Sequence, residues 1–133
     1  MVALVRLATI NDCNKLGPRL RDADKYELKV SCGKGPVTAL TLSLKASDAA
    51  YVAVDEVGQP ILMFGVVNSP QANCGVPWML GSKGIYKHTR QLQKECREWL
   101  EVVHSDYDLL FNYVHAENPK AIRWLQWMGF TMI

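Results

Sequence analysis

The stretch NYVHAENPKAIRWLQWMGF, residues 112–130, contains the side chains whose types and spacing come closest to a functional motif. Within it, Asn118 directly precedes Pro119. An Asn side chain accepts hydrogen bonds from the free N–H groups at a helix start, and Pro fits the first helical position. The pair therefore predicts the start of a helix. The Asn118 carboxamide has two candidate roles, a helix cap and a contact to a cofactor.

The sequence gives little support for a metal site or for disulfide bonds. The cysteines are far apart, with no C-x-x-C pair and no His at ligand spacing, and they stand at positions 13, 32, 74 and 96. We therefore expect reduced thiols and no zinc site. The N-terminus lacks the pattern of a signal peptide, and the longest apolar run, PILMFGVV (60–67), is too short to span a membrane. A soluble intracellular protein is expected.

Length and charge further narrow the class of protein. The chain has 133 residues, of which 49% are hydrophobic, so we expect a single domain over 1–133 with a proper core. Fifteen Lys and Arg against thirteen Asp and Glu leave a net charge of +2, and the basic residues form no run. This charge predicts neither a nucleic-acid partner nor a membrane partner.

Hydrophobic periodicity and turn residues predict the elements that would position these groups. The expected elements are a strand at 2–7, a helix at 10–28 interrupted by Gly17-Pro18, strands at 50–56, 60–68 and 76–80, a long helix over 85–103, a strand at 108–115, a helix at 119–128 and a strand at 130–133. Residues 37–44 fit either a buried helix or a strand. The order β-α-(α)-β-β-β-α-β-α-β predicts an α/β (α+β) fold, a mixed central sheet with helices on both faces.

The pattern N-x-x-A-x-x-x-x-x-x-G-F, formed by Asn118, Ala121, Gly129 and Phe130, resembles the C-terminal half of the GNAT superfamily of N-acetyltransferases. A narrower resemblance covers nearly the whole chain. PWMLGS (77–82) and the 112–130 stretch are similar to small GNAT-like proteins of short-tailed bacteriophages, which are described as internal virion proteins or acetyltransferases.

The resemblance implies that acetyl-CoA lies between two splayed strands and that its pyrophosphate meets the turn before the long helix. There, unpaired N–H groups and the helix dipole favour an anion. The implied cofactor-binding residues are Leu80, Gly81, Ser82, Lys83, Gly84 and Asn118. Gly81 replaces the Gln or Arg of the superfamily pattern, Tyr86 replaces a small residue, and Pro77 removes a backbone donor. A plain turn before a helix fits the same residues.

The resemblance also implies a general base that takes a proton from the attacking amine. The candidates are Glu27 and His115, with Glu56 as a third, and each of them also fits a solvated surface charge. Leu125 stands where many GNAT enzymes have a Tyr that protonates the departing thiolate.

Three hypotheses follow. In the first, a phage-encoded enzyme uses acetyl-CoA to modify an amine on a host or virion protein, in the host cytoplasm or the virion interior. In the second, a catalytically silent GNAT scaffold serves as an internal virion protein or binds a host protein. A third, weaker hypothesis is a small effector that binds and redirects a host enzyme without any chemistry. Trp78 beside the cleft is the aromatic residue that we expect to contact a ligand or partner. A short ending at Ile133 would leave a sheet edge open for pairing into a homo-oligomer.

Overall fold

The computed structural model describes residues 4–31, 33–69, 73–104, 107, 109–111, 122–123 and 126. Its regular elements are β1 (Leu4–Leu7), α1 (Ile10–Leu16), α2 (Asp22–Ser31), α3 (Pro36–Ala46), β2 (Ser47–Val54), β3 (Pro60–Asn68), β4 (Cys74–Gly81), α4 (Thr89–His104) and β5 (Leu109–Leu110). Two 3-10 helices, Gly17–Arg19 and Lys83–Lys87, precede α2 and α4. Ile122, Arg123 and Gln126 are helical, as the prediction for 119–128 requires.

The strands form one five-stranded sheet in the order β1-β2-β3-β4-β5. The pairs β1–β2, β2–β3 and β3–β4 are antiparallel, and β5 is parallel to β4. The short turn between β2 and β3 requires antiparallel pairing, whereas the crossover through α4 permits the parallel pair. The predicted mixed sheet is therefore confirmed. The strand predicted at 130–133 lies outside the described residues.

A break divides the first helical region as the sequence predicts. Thr9 and Asp12 form a capping box at the start of α1, in which each side chain accepts a hydrogen bond from the other residue's backbone N–H. Arg6 donates to both carboxylate oxygens of Asp12, at 2.8 and 2.9 Å. Gly17 and Pro18 then tighten the chain into the 3-10 helix that leads to α2.

Residues 36–46 form α3, so the ambiguous segment is a helix and the predicted order lacked one element. Pro36 stands in its first turn, where its missing N–H costs nothing. A Cβ atom on Gly17 would lie 2.5 Å from Cγ2 of Val37. The end of α1 and the start of α3 therefore pack in direct contact, a constraint that periodicity within 37–44 does not contain.

Buried residues cover both faces of the sheet. One cluster packs α4 against the sheet and includes Phe64, Leu92 and Cys96. The other packs α1 and α3 against the opposite face and includes Cys13 and Leu40. Alternate residues of β2, β3 and β4 supply both clusters, so helices lie on both faces as predicted. In the part of the chain that is described, no helix is long and apolar enough to cross a membrane.

Candidate active site

The candidate site begins at the edge of β4 that faces β5. Ser82 donates its N–H to Ile61 of β3, whereas the carbonyl of Gly75 accepts the N–H of Phe111, at 3.0 Å. Backbone groups of alternate residues point to opposite sides of a strand. With the continuous register between β3 and β4, Pro77, Met79 and Gly81 therefore direct their backbone groups away from β3.

Pro77 lies on the side of β4 that faces β5, and it lacks the N–H that a parallel ladder would use there. The described ladder joins Cys74 to Leu109 and Gly75 to Leu110. In a parallel ladder the next bond would run from the N–H of residue 77 to the carbonyl of Phe111, and proline has no N–H. Beyond this point, the N–H and C=O of Met79 have no hydrogen-bond partner among the described residues. Within the described residues, the side of β4 that faces β5 is therefore unpaired at Met79.

This side of β4 ends at Gly81, which is closed by the start of α2. The backbone N–H of Arg21 donates to the Gly81 carbonyl at 2.9 Å, and Leu20 forms an antiparallel bridge with Ser82. The Asp24 carboxylate accepts the Gly81 N–H at 3.0 Å. Asp24 is only 3% exposed, and Arg21 neutralises its charge through an ion pair of 2.9 Å.

Backbone N–H groups of the predicted phosphate loop already donate hydrogen bonds within the chain. Ser82 Oγ accepts the N–H of Gly84 at 3.1 Å, and the Ser82 carbonyl accepts the N–H of Ile85 at 3.2 Å. A Cβ atom on Gly84 would lie 2.6 Å from Cγ2 of Ile61, so the absence of a side chain at position 84 serves packing against β3. Leu80 belongs to the core on the α1 face. An anion would have to displace the bonds at Gly81, Ser82 and Gly84 to use these amides.

Exposed groups surround this loop. Lys83, Tyr86 and Lys87 are exposed on the 3-10 helix, and α4 begins only at Thr89. The guanidinium carbon of Arg21 lies 6.0 Å from the centre of the Tyr86 ring, within range of a cation–π contact. The first turn of α4 carries no acidic residue, so no carboxylate of that turn competes with a bound anion for the positive end of the helix dipole.

Trp78 does not face this edge. Its indole N–H donates to Ser47 Oγ at 2.7 Å, and its ring packs with the cluster on the α1 face. A Cβ atom on Gly65 would lie 2.9 Å from the indole nitrogen, so Gly65 lets the ring cross β3. Trp78 is half-buried there, and its expected contact with a ligand or partner stays a prediction.

Two candidate bases lie in the described part of the chain. Glu27 is half-buried on α2, three residues after Asp24 and therefore on the same helix face. Glu56, in the turn after β2, lies 3.6 Å from Nε2 of the buried His88. His115, Asn118 and Leu125 lie outside the described residues, so their predicted roles stay predictions.

Sequence reasoning missed Arg21, Asp24 and His88. The charges of Arg21 and Asp24 stand three residues apart at a helix start, which is a local signal for an ion pair. Nothing local shows that Asp24 bonds to Gly81, because these residues are 57 positions apart in sequence. In the described ranges, no group of three His, Cys, Asp or Glu residues could hold a metal ion.

Comparison with solved structures places this geometry in a known architecture. A GCN5-related N-acetyltransferase from Kribbella flavida superimposes with a TM-score of 0.66 at 20% identity, over 98% of this chain and 83% of that one. A GNAT-family acetyltransferase from Bacillus anthracis gives a TM-score of 0.66 at 10% identity, over 97% and 80% of the two chains. The chain has the GNAT fold.

The same fold is shared by a protein with a different description, a transcriptional regulator from Bacillus halodurans C-125. Its TM-score is 0.63 at 13% identity, with 98% of this chain and 93% of that chain covered. No protein-family model matches the chain, and no curated protein matches it significantly. The GNAT fold is thus supported by structure alone, and its activity has to be argued from the site.

Proposed function

We propose that the protein is an N-acetyltransferase that transfers an acetyl group from acetyl-CoA to an amine. The observation that carries this proposal is the edge of β4 at Met79, which lacks a backbone partner among the described residues, within a GNAT fold. Its N–H and C=O, both directed away from β3, form a donor and acceptor pair. An extended ligand with amide groups, such as the pantetheine arm of coenzyme A, can bind such an edge as an added strand would.

The surrounding residues fit the cofactor in part. Met79 fits the amides of the arm, and the exposed Lys83 and Lys87 before α4 can neutralise phosphates. The amides of Gly81 and Gly84 fit less well, because the chain itself already bonds them. Bound acetyl-CoA would supply an acetyl group activated as a thioester.

Glu27 and His115 remain the candidate bases, and Asn118 the candidate contact to the pantetheine arm. Glu27 is the candidate that the described structure supports better. It shares a helix face with Asp24, whose carboxylate reaches the end of β4. A carboxylate there can take the proton that an ammonium group must lose before it attacks. We further propose that the acceptor amine belongs to a host or virion protein of a bacteriophage, which rests on the sequence resemblance. The site of action is then the host cytoplasm or the virion interior.

A second function, a catalytically silent GNAT scaffold that binds a virion or host protein, is favoured by one observation. The amides of Gly81, Ser82 and Gly84, which would cradle phosphates, are all bonded within the chain. A scaffold of this kind binds no acetyl-CoA, so binding separates the two functions.

The deciding experiment is a thermal-shift and calorimetric titration with acetyl-CoA. A ligand at one hundred times its Kd stabilises a folded protein by roughly 2.7 kcal/mol, which raises the Tm by several degrees in a domain of this size. A Met79→Pro variant removes the edge N–H without breaking the ladder to β3, and Met79→Leu keeps it. We expect a saturable shift for the parent and for Met79→Leu, and a weaker one for Met79→Pro. No shift at millimolar acetyl-CoA would favour the scaffold.

A further inference from the structure

We propose that two copies of this chain associate through the outer edge of β1, so that their sheets join into one continuous sheet. This inference goes beyond the proposed function and does not depend on it. The sheet order places β1 at the end opposite to β5, so the β1 edge is separate from the candidate site on β4. It is also distinct from the C-terminal edge near Ile133, for which the sequence predicts pairing.

The backbone groups of β1 point alternately toward β2 and toward the outer edge. The N–H of Ala8 donates to the Ala50 carbonyl of β2 at 2.9 Å. With the continuous register between β1 and β2, the backbone groups of Val5 and Leu7 therefore point outward. Arg6 Nη1 donates to the Leu7 carbonyl at 3.2 Å, whereas the N–H and C=O of Val5 have no hydrogen-bond partner among the described residues. Val5 is thus the point at which another strand can bond to this edge.

The side chains of β1 are exposed and mostly apolar. Leu4, Val5 and Leu7 are 66%, 39% and 64% exposed. Edge strands that resist pairing commonly carry a lysine, a proline or a bulge. β1 has none of these, because its register with β2 runs without a shift and its single charged residue, Arg6, is held by Asp12 at 2.8 Å. A strand with these properties is a template for the addition of another strand.

The sequence of β1 fits a second copy of itself as the added strand. Two identical antiparallel strands pair about a two-fold axis, and outward-pointing backbone groups must meet each other. A residue of β1 therefore stands opposite its own copy. With Val5 on the axis, the two valines exchange both backbone hydrogen bonds, and Arg6 of each copy lies opposite Leu4 of the other.

The other two-fold registers are less favourable. With Arg6 on the axis, two guanidinium groups would lie directly opposite each other, and like charges in that position destabilise a strand pair. With Leu7 on the axis, the carbonyl that must accept the new bond already accepts from Arg6. The register centred on Val5 is therefore complementary in both hydrogen bonding and charge.

A short strand pair predicts a weak dimer. Each β1 strand of four residues is roughly 13 Å long. Stable complexes bury about 1,200–2,000 Å² of surface, and smaller interfaces are typical of transient association. Two strands separate β1 from β4 in the sheet, so association leaves the edge at Met79 accessible in both copies.

The test measures the oligomeric state of the full chain by sedimentation velocity, from micromolar to millimolar protein. Val5→Pro removes the outward N–H and leaves the ladder to β2 intact, because that N–H does not point toward β2. Leu7→Lys places a charge on the edge of each copy. The matched control is Val102→Lys, which changes an apolar residue on α4 that is 69% exposed. The Tm of each variant verifies that it is folded.

We expect the parent to show a concentration-dependent equilibrium between monomer and dimer. Val5→Pro and Leu7→Lys should each weaken association by roughly tenfold or more, because symmetry makes every substitution act twice. Val102→Lys should associate as the parent does, and Leu7→Lys should bind acetyl-CoA as the parent does. A parent that stays monomeric at millimolar concentration, or a dimer that Leu7→Lys does not weaken, would overturn the proposal while leaving the proposed function standing. Where Val5→Pro is unfolded, Leu7→Lys decides alone.

A cysteine cross-link tests the register. Opposite residues of a hydrogen-bonded antiparallel pair have Cα atoms about 5.5 Å apart, within the range of a disulfide. Under mild oxidation, Val5→Cys should therefore give covalent dimers, and the parent measures any contribution of the native thiols. Leu4→Cys is the matched control, because this exposed neighbour lies opposite Arg6 of the other copy. Equal cross-linking of Val5→Cys and Leu4→Cys, or none for Val5→Cys in a parent that dimerises, would exclude the register centred on Val5.

Discussion

At the scale of single residues, Asp24 has a large predicted effect on folding. Its carboxylate joins the start of α2 to the end of β4 while remaining almost fully buried. Asp24→Ala leaves the Gly81 N–H without an acceptor and Arg21 without its counterion, so we expect a loss of about 2–4 kcal/mol in the free energy of unfolding. Urea denaturation measures it. Asp22→Ala, at an exposed position of the same helix, is the control and should cost under about 1 kcal/mol. Equal values for the two variants would contradict this account of Asp24.

Gly84 shows how a residue type can be predicted correctly for the wrong reason. The resemblance reads it as a glycine that lets a phosphate approach, whereas the structure shows a close contact with Ile61. A substitution at position 84 therefore perturbs packing before it perturbs any ligand. Sequence alone cannot separate these causes, because both require the same absence of a Cβ atom.

At the scale of elements, the capping box of α1 predicts a pH dependence. Burial raises the pKa of Asp12, but hydrogen bonds from Arg6 and Thr9 outweigh it, so the pKa lies below its ordinary value of 3.8. A carboxyl whose pKa is lowered by folding stabilises the native state above its unfolded pKa, and this contribution disappears as the pH falls through the folded value. When urea denaturation is measured from pH 5 downward, the midpoint of the parent should therefore begin to fall near pH 4. The midpoint of Asp12→Asn should fall less steeply with pH. An unchanged slope in Asp12→Asn would contradict the prediction; Asp22→Asn is the control.

Pro77 provides a second prediction for an element, the β4 edge. Pro77→Val adds a backbone N–H on the side of β4 that faces β5, next to the described pair of Gly75 and Leu110. We expect a gain of about 1 kcal/mol in stability from the added hydrogen bond, and weaker binding of acetyl-CoA, because pairing on this side of β4 then reaches closer to Met79. Calorimetry and urea denaturation measure the two effects. Pro60→Val controls for the greater freedom of an unfolded chain that lacks a proline. Unchanged acetyl-CoA affinity would mean that Pro77 does not control the access of acetyl-CoA to the β4 edge at Met79.

The elements that sequence predicts well here are those with local signals. The Thr9 cap, the Gly17-Pro18 break and the turn at Gly58, where φ is +81°, are each determined within a few residues. The helix α3 and the 3-10 helix before α4 are less well determined. They depend on contacts with distant residues, Val37 with Gly17 and Gly84 with Ile61. In the candidate site the same division holds, since the loop is visible in sequence and the Arg21 contact is not.

At the scale of the whole molecule, one sheet carries two cores. Leu40 on α3 and Leu92 on α4 are fully buried in opposite clusters, and β2, β3 and β4 contribute to both. We expect Leu40→Ala and Leu92→Ala each to cost about 2–5 kcal/mol in unfolding free energy. Both should leave a single cooperative transition, because neither cluster exists without the shared strands. Circular dichroism and tryptophan fluorescence should give coincident midpoints. Leu42→Ala, at an exposed position of α3, should cost far less.

Two thiols that are buried in the described part of the chain give this arrangement a chemical use. Burial, with a smaller contribution from the charge of Glu95, raises the pKa of Cys96 to about 12, and burial raises the pKa of Cys13. Only a thiolate reacts readily with alkylating reagents, so at neutral pH both sulfurs are inert until their face of the sheet opens. Because the two thiols lie on opposite faces, their alkylation rates time the opening of each face separately, without an engineered probe. Each of these two native thiols therefore reports, through its alkylation rate, how often its face of the sheet opens.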